Sequence, residues 1–271
     1  MSATAADLGI DPPLALASLS GAADAEWAQA GATYAGAALL GGIALDAESR
    51  AAVRTMVADR ERSEFLPADP LAWIDEQLAA LAESDADIRA GVNVRATGVR
   101  AIGEAAAVCT DHGALLEVNA HCRQAELCAA GCGETLLADT DRLAEYVAAA
   151  AGAGADVSVK VRADVDGVDL ADTARAVAAV GADAIHVDAM DSEEIVGSVK
   201  DAAPELVVIA NNGVRGRETV REYLAAGADA VSVGRPSDDE RVLRRVRTAV
   251  DEWTDGAGSA GVDRGASGVA R

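Results

Sequence analysis

The chain has 271 residues, a length that suits one (β/α)8 barrel or two small domains. Its formal net charge is −22, with 21 arginines but only two lysines, Lys160 and Lys200, and this acidic excess points to a salt-adapted cytoplasm where hydrated carboxylates keep the surface soluble. The same balance argues against a general nucleic-acid-binding face or DNA as a partner; no apolar run is long enough to span a membrane, and the N-terminus lacks the basic region of a secretion signal.

Runs rich in Val, Ala and Leu predict eight strands, over 14–19, 37–43, 88–94, 114–119, 157–161, 184–187, 206–210 and 230–233. Helix-start signals lie between them. Asp46 precedes Ala-Glu-Ser-Arg, Asp69-Pro70 opens a helix through Ala82, Asp139 precedes Thr-Asp-Arg-Leu, and Asp169 precedes Leu-Ala-Asp-Thr. Three helices are expected to end in Gly-Ala-Asp just before a strand, at Gly154, Gly181 and Gly227, the αβ turn of repeated β-α units. Eight strands alternating with helices predict an α/β fold, a single-domain (β/α)8 TIM barrel over 1–254, with its site at the C-terminal strand ends. The Gly- and Ala-rich residues 255–271 predict a disordered tail.

The strand ends concentrate polar residues on one rim. In order they read Ala17-Ser18 after the first strand, Asn93-Val-Arg95, Asn119-Ala-His121-Cys122, Lys160-Val-Arg162, His186-Val-Asp188, Asn211-Asn212-Gly213 and Ser232-Val-Gly234-Arg235. The last two are glycine-bearing turns that lead into helices, where backbone N–H groups can cradle a phosphate. The thiol and carboxamide of the Asn119-x-x-Cys122 turn sit where parallel α/β proteins place reactive groups.

Five of these segments, Pro13-Leu-Ala-Leu-Ala17, Glu117-Val-Asn119-Ala-His-Cys122, Val159-Lys160-Val-Arg162, Ala210-Asn-Asn212-Gly213-Val and Val233-Gly234-Arg235, resemble in order the motifs of the tRNA-dihydrouridine synthase family. That family comprises FMN-dependent barrels related to dihydroorotate and dihydropyrimidine dehydrogenases. The resemblance implies an oxidoreductase that reduces uridine in tRNA with NAD(P)H as hydride source. Cys122 would protonate C5, and Lys160 would sit at the flavin N1/O2 edge, where a cation stabilises the anionic reduced ring. Ala17, Ser18, Asn93, Asn119, Asn212, Gly213, Gly234 and Arg235 would contact FMN, and Arg162, His186 and Asp188 the substrate. The pattern departs from the family at three places. Asn-x-Gly-Cys-Pro becomes Asn119-Ala-His121-Cys122-Arg123, the strand-three Gln becomes Asn93, and the strand-six His becomes Asp188, with His186 one layer deeper.

Other readings stay open at this point. Cys122 also reads as a small buried hydrophobe, Arg162 as a partner of Asp164 or Asp166, and Asp188 as a helix cap. His121, Cys122, Cys128 and Cys132 are together an alternative zinc or iron–sulfur ligand set; Cys128 and Cys132 at i, i+4 would share a helix face, but Cys-x5-Cys-x3-Cys is no common ligand spacing, and core or lid thiols are the other reading. The run Arg241-Val-Leu-Arg244-Arg245-Val-Arg247 reads as the solvated face of a last helix and is the one candidate for an RNA contact. A free pyrimidine as substrate, or a flavin- or phosphate-binding barrel without redox turnover, are the alternatives to tRNA reduction.

Overall fold

The computed structural model describes residues 2–59, 63–190 and 192–262, with side chains to Gly256. Eight parallel strands close into one barrel in sequence order: β1 (Leu14–Leu16), β2 (Ala37–Ala44), β3 (Arg89–Arg95), β4 (Leu115–Asn119), β5 (Asp156–Arg162), β6 (Ala184–Asp188), β7 (Val207–Asn211) and β8 (Ala230–Val233). Strand β8 returns to β1, with Ala15 opposite Ser232 and Leu16 opposite Val233. Helices fill the crossovers, as right-handed parallel connections require. Every residue of β2 and of β4 is buried, because a parallel barrel strand faces packed side chains on both sides. No helix of the described residues is long and apolar enough to cross a membrane.

The helix starts follow from their caps. Asp69 accepts from the backbone N–H groups of Leu71 and Ala72 and opens helix Pro70–Ala82, while Asp139 and Asp169 cap Thr140–Gly152 and Leu170–Ala179 in the same way. Asp46 caps its helix through Ser49 and uses its other oxygen on Thr97 and Gly98, tying two βα loops together. The Gly-Ala-Asp turns work as expected, with Gly154, Gly181 and Gly227 all at φ between 89° and 107°. Their aspartates do more than end a turn: Asp183 accepts from Val157 N–H and Asp229 from Val208 N–H, each at 2.8 Å. Each therefore fastens the start of its own strand to a neighbour.

Strand β1 is shorter than its apolar run predicts. Pairing stops at Leu16, apart from one bond from Ala17 N–H to Val233, and the polar Ser18-Leu-Ser20-Gly21 segment turns away toward the rim. At the opposite end of the barrel, the 3-10 turn Ala5–Leu8 and Ile10 pack on Ala15, Leu115, Val207 and Ile209 and close the floor. At the C-terminus helix Glu240–Val262 runs through residue 255, where the tail is expected to begin; residues 263–271 of that expectation lie outside the described residues.

Candidate active site

Two adjoining cavities, of about 280 and 730 Å3, open at the C-terminal strand ends. Ala17, Gly213 and Gly234 line the smaller one, and Asn119, Cys122 and Arg162 the larger. Ser18, Lys160, Asp188, Asn212 and Arg235 line both. Asn93 and His186 line neither. Both are fully buried beneath the cavity floor, so the contacts expected of them, cofactor for Asn93 and substrate for His186, give way to contacts inside the barrel.

Those contacts form one polar layer. Asn119 Nδ2 donates to Asn93 Oδ1 at 2.9 Å, and Asn93 Nδ2 donates to Glu117 Oε1 at 2.7 Å. The other carboxylate oxygen of Glu117 meets His186 Nδ1 at 2.7 Å, and His186 Nε2 meets Ser232 Oγ at 2.7 Å. Asn211 Nδ2 reaches the same hydroxyl at 2.6 Å. Burial, with the Lys160 charge behind it, pushes the His186 imidazole below its ordinary value. Its Nδ1 faces the Glu117 carboxylate and its Nε2 the Ser232 hydroxyl. Burial alone would raise the Glu117 carboxyl, but His186, Lys160 and Asn93 together hold it down to about 2. Glu117 is the sink on which every hydrogen bond of the layer converges.

Lys160 stands above this layer, 4% exposed, in register with Asn119 on one side and His186 on the other. Burial lowers its ammonium pKa, opposed by Glu117 and Asp188. It makes no hydrogen bond or ion pair with any described residue, although it lines both cavities. Asp188 does not cap the next helix, which starts at Glu194. Its Oδ2 takes His121 Nε2 at 3.2 Å, and against the upward push of burial that bond holds the carboxyl below its ordinary value. Arg162 pairs with neither Asp164 nor Asp166 but with Glu134 at 2.5 Å, and its second terminal nitrogen faces only the thioether of Met190.

Cys122, 7% exposed and packed with Met56, Leu127 and Cys132, is held on the wall of the larger cavity by its backbone. Asn119 Oδ1 accepts from the N–H groups of His121 and Cys122, an Asx turn that folds the chain back over the strand end. Gly133 locks the other side of the loop: at φ 60° its absent Cβ would lie 1.9 Å from the Cys122 carbonyl, which accepts from Glu134 N–H. Of the remaining thiols, Cys128 Sγ donates to the Cys122 carbonyl at 3.4 Å, and Cys132 packs in the same apolar cluster as Cys122. Burial pushes Cys109 and Cys132 up to about 12. Cys128 and Cys132 do not share a helix face, because that helix ends at Ala129 and Gly131 turns the chain before Cys132. The last-helix arginines are partly neutralised in place, Arg244 by Glu240 and Arg247 by Asp251.

Sequence reasoning did not assign Glu117, Ser232, Asn211, His121 or Arg95 a part in the site. One signal was available: Glu117 is a carboxylate inside an otherwise apolar buried strand, which requires partners. Arg95 is likewise buried, paired with Glu64 at 2.9 Å and bonded to Ser20, beneath the glycine pair at the end of β2; a Cβ on Gly42 would lie 2.6 Å from Asn93 Oδ1.

Residues 44–255 match the family model described as dihydrouridine synthase (Dus). An uncharacterised protein of Methanocaldococcus jannaschii is 26% identical over 238 residues, covering 83% of this chain and 89% of that protein. Among solved structures, DHODH from Eimeria tenella in complex with ferulenol superposes with a TM-score of 0.69 at 15% identity, over 91% of this chain and 82% of that one. A tryptophan synthase complex from Pyrococcus furiosus gives a TM-score of 0.55 at 15% identity, over 90% and 98%. These two share the barrel fold with the chain.

Proposed function

Because the chain belongs to the dihydrouridine synthase family of flavin-dependent oxidoreductases, we propose that it binds FMN and reduces a uracil ring, with uridine in tRNA as substrate and NAD(P)H as hydride source. The observation that carries this reading is the pairing, in one cavity, of the Lys160 ammonium, which makes no hydrogen bond or ion pair among the described residues, with the thiol of Cys122.

The residues present fit the cofactor. Gly213 and Gly234 face open space where a side chain would otherwise stand, beside Arg215 and Arg235, and that is what a phosphate needs. Asn212, Gly213, Gly234 and Arg235 would hold the phosphate, Ala17 and Ser18 the adjoining wall, and Lys160 with Asn119 the polar edge of the ring. Lys160 is suited to that edge because a compact, desolvated ammonium interacts strongly with a ring that becomes anionic on reduction. Held there and reduced, FMN would supply the hydride chemistry at C6 of the pyrimidine.

Cys122 supplies the proton to C5 from the wall of the larger cavity. The Asx turn on Asn119 orients it, and the polar layer under the floor orients Asn119 in turn. Arg162 and Asp188 present a donor and an acceptor to the pyrimidine. Replacing Cys122 with Ala is expected to lower turnover by roughly 10²- to 10⁴-fold, the range of general acid catalysis, while the visible flavin spectrum is retained. A C122A protein that turns over normally would remove the thiol from the mechanism, and a chain that does not take up FMN at all would remove the flavin reading.

A free pyrimidine is the second reading. It is favoured by the last helix, whose arginines are partly engaged by Glu240 and Asp251 and leave a small basic surface for RNA.

A further inference from the structure

The arginines and lysines are almost all accounted for. Among the described residues only Arg54, Arg123, Lys160, Arg215, Arg235 and Arg241 make no side-chain hydrogen bond, ion pair or ring contact. Four of the six line the two cavities, in a chain whose net charge is −22. Unpaired cations confined to one concave site focus the field on an anionic ligand.

The four do not share one place. Arg215 lines only the smaller cavity, beside the glycine turns, and Arg235 and Lys160 line both. Arg123 lines only the larger cavity, immediately after Cys122. The same cavity is lined by Arg162, whose side chain is 7% exposed, whose Nε has no partner among the described residues, and whose Nη2 has only the Met190 thioether. A thioether is a weak acceptor, so a guanidinium so placed retains donor capacity. The cavity thus has two cationic ends, one at the glycine turns and one beside the thiol.

We propose that Arg123 is a specificity residue that binds a phosphate attached to the reacting pyrimidine nucleotide, while Arg162 meets the ring. The proposal rests on the flavin reading above, which assigns the other cationic end to the cofactor. A guanidinium suits this task because its planar fork meets phosphate oxygens in pairs. The phosphate belongs to a uridine nucleotide, either a free mononucleotide or the backbone of RNA.

The test measures binding as well as turnover. FMN-reconstituted protein is dialysed to equilibrium against UMP, uridine and a short uridine-containing RNA hairpin, at one fixed salt concentration. The wild type, Arg123→Gln and Arg241→Gln are compared, the last as an unpaired arginine outside the cavities. UMP or the hairpin is expected to bind at least roughly tenfold more tightly than uridine, from the strength of a charge-assisted contact. Arg123→Gln should erase that preference without altering uridine affinity, and Arg241→Gln should leave it intact. Loss confined to the hairpin identifies an RNA phosphate; loss with UMP identifies the mononucleotide. Equal affinity for UMP, hairpin and uridine, no binding of either phosphate ligand, or equal weakening of all three by Arg123→Gln would overturn the proposal. The flavin absorbance of the same samples separates the two failures. FMN retained without a phosphate preference rejects Arg123 alone, and absent FMN rejects the cofactor assignment while the UMP comparison still judges Arg123.

Discussion

Glu117 shows what one residue can require of its surroundings. A carboxylate with no exposed surface survives only with its lone pairs occupied and its charge balanced. Asn93 and His186 occupy the lone pairs, and Lys160 balances the charge. Glu117→Ala would leave two donors and one ammonium stranded, and is expected to cost about 3–5 kcal/mol in a guanidinium unfolding titration. The same carboxyl sets an acid limit. Its folded pKa, about 2, lies below the unfolded value of 4.5, so its stabilisation is complete above about pH 4.5 and is lost as pH falls toward 2. Unfolding midpoints measured across that window should fall in the wild type and flatten in Glu117→Ala. A parallel fall in both proteins would show that another carboxylate sets the limit.

At the scale of the element, the strands and caps were legible because their causes are local. An apolar run of strand length, an Asp before a helix and a Gly-Ala-Asp before a strand each act within a few residues. The rim residues were legible for the same reason, since a strand's last polar residue lies at the rim whatever its neighbours. The partners were not. Arg162 meets Glu134 and Asp188 meets His121 because of strand register and loop path, which no local pattern encodes. Asn93 and His186 were expected in ligand contact, although the alternation of the strand already placed His186 one layer deeper. The loop after β4 depends on Gly133 in a way its sequence does not announce. Gly133→Ala forces a Cβ into the Cys122 carbonyl at a backbone conformation reserved for glycine, and is expected to destabilise by about 1–3 kcal/mol. Thermal denaturation checks the cost, and thiol-labelling of Cys122 should accelerate as the loop loosens. An unchanged melting temperature and labelling rate would show that the loop can shift without loss.

Taken whole, the barrel is unevenly stitched. From β2 to β7 the strands pair over four or more consecutive positions, whereas β7 meets β8 through Ile209–Ala230 and Ala210–Val231, and β1 meets β2 through Ala15–Ala37 and Leu16–Ala38. Backbone amides of β8 and β1 should therefore exchange with deuterium sooner than those of β4 to β6. Bound FMN should slow that exchange, and at roughly a hundredfold excess over its Kd it should add about 2.7 kcal/mol to unfolding. Uniform exchange around the barrel, or an FMN effect confined to β4 and β5, would contradict this.

The short pairing of β7 and β8 has a mechanical consequence. A closed ring of strands behaves like a hoop under tension, and a hoop opens where its joint is shortest. Here one of the two shortest joints, β7 to β8, carries Asn212 and Gly213 on one lip and Gly234 with Arg235 on the other, all of which line the smaller cavity. A ligand lodged there bridges the two lips as a rivet does. The chain would then hold its shape most firmly when its site is filled, and the empty protein would be the one that proteases find.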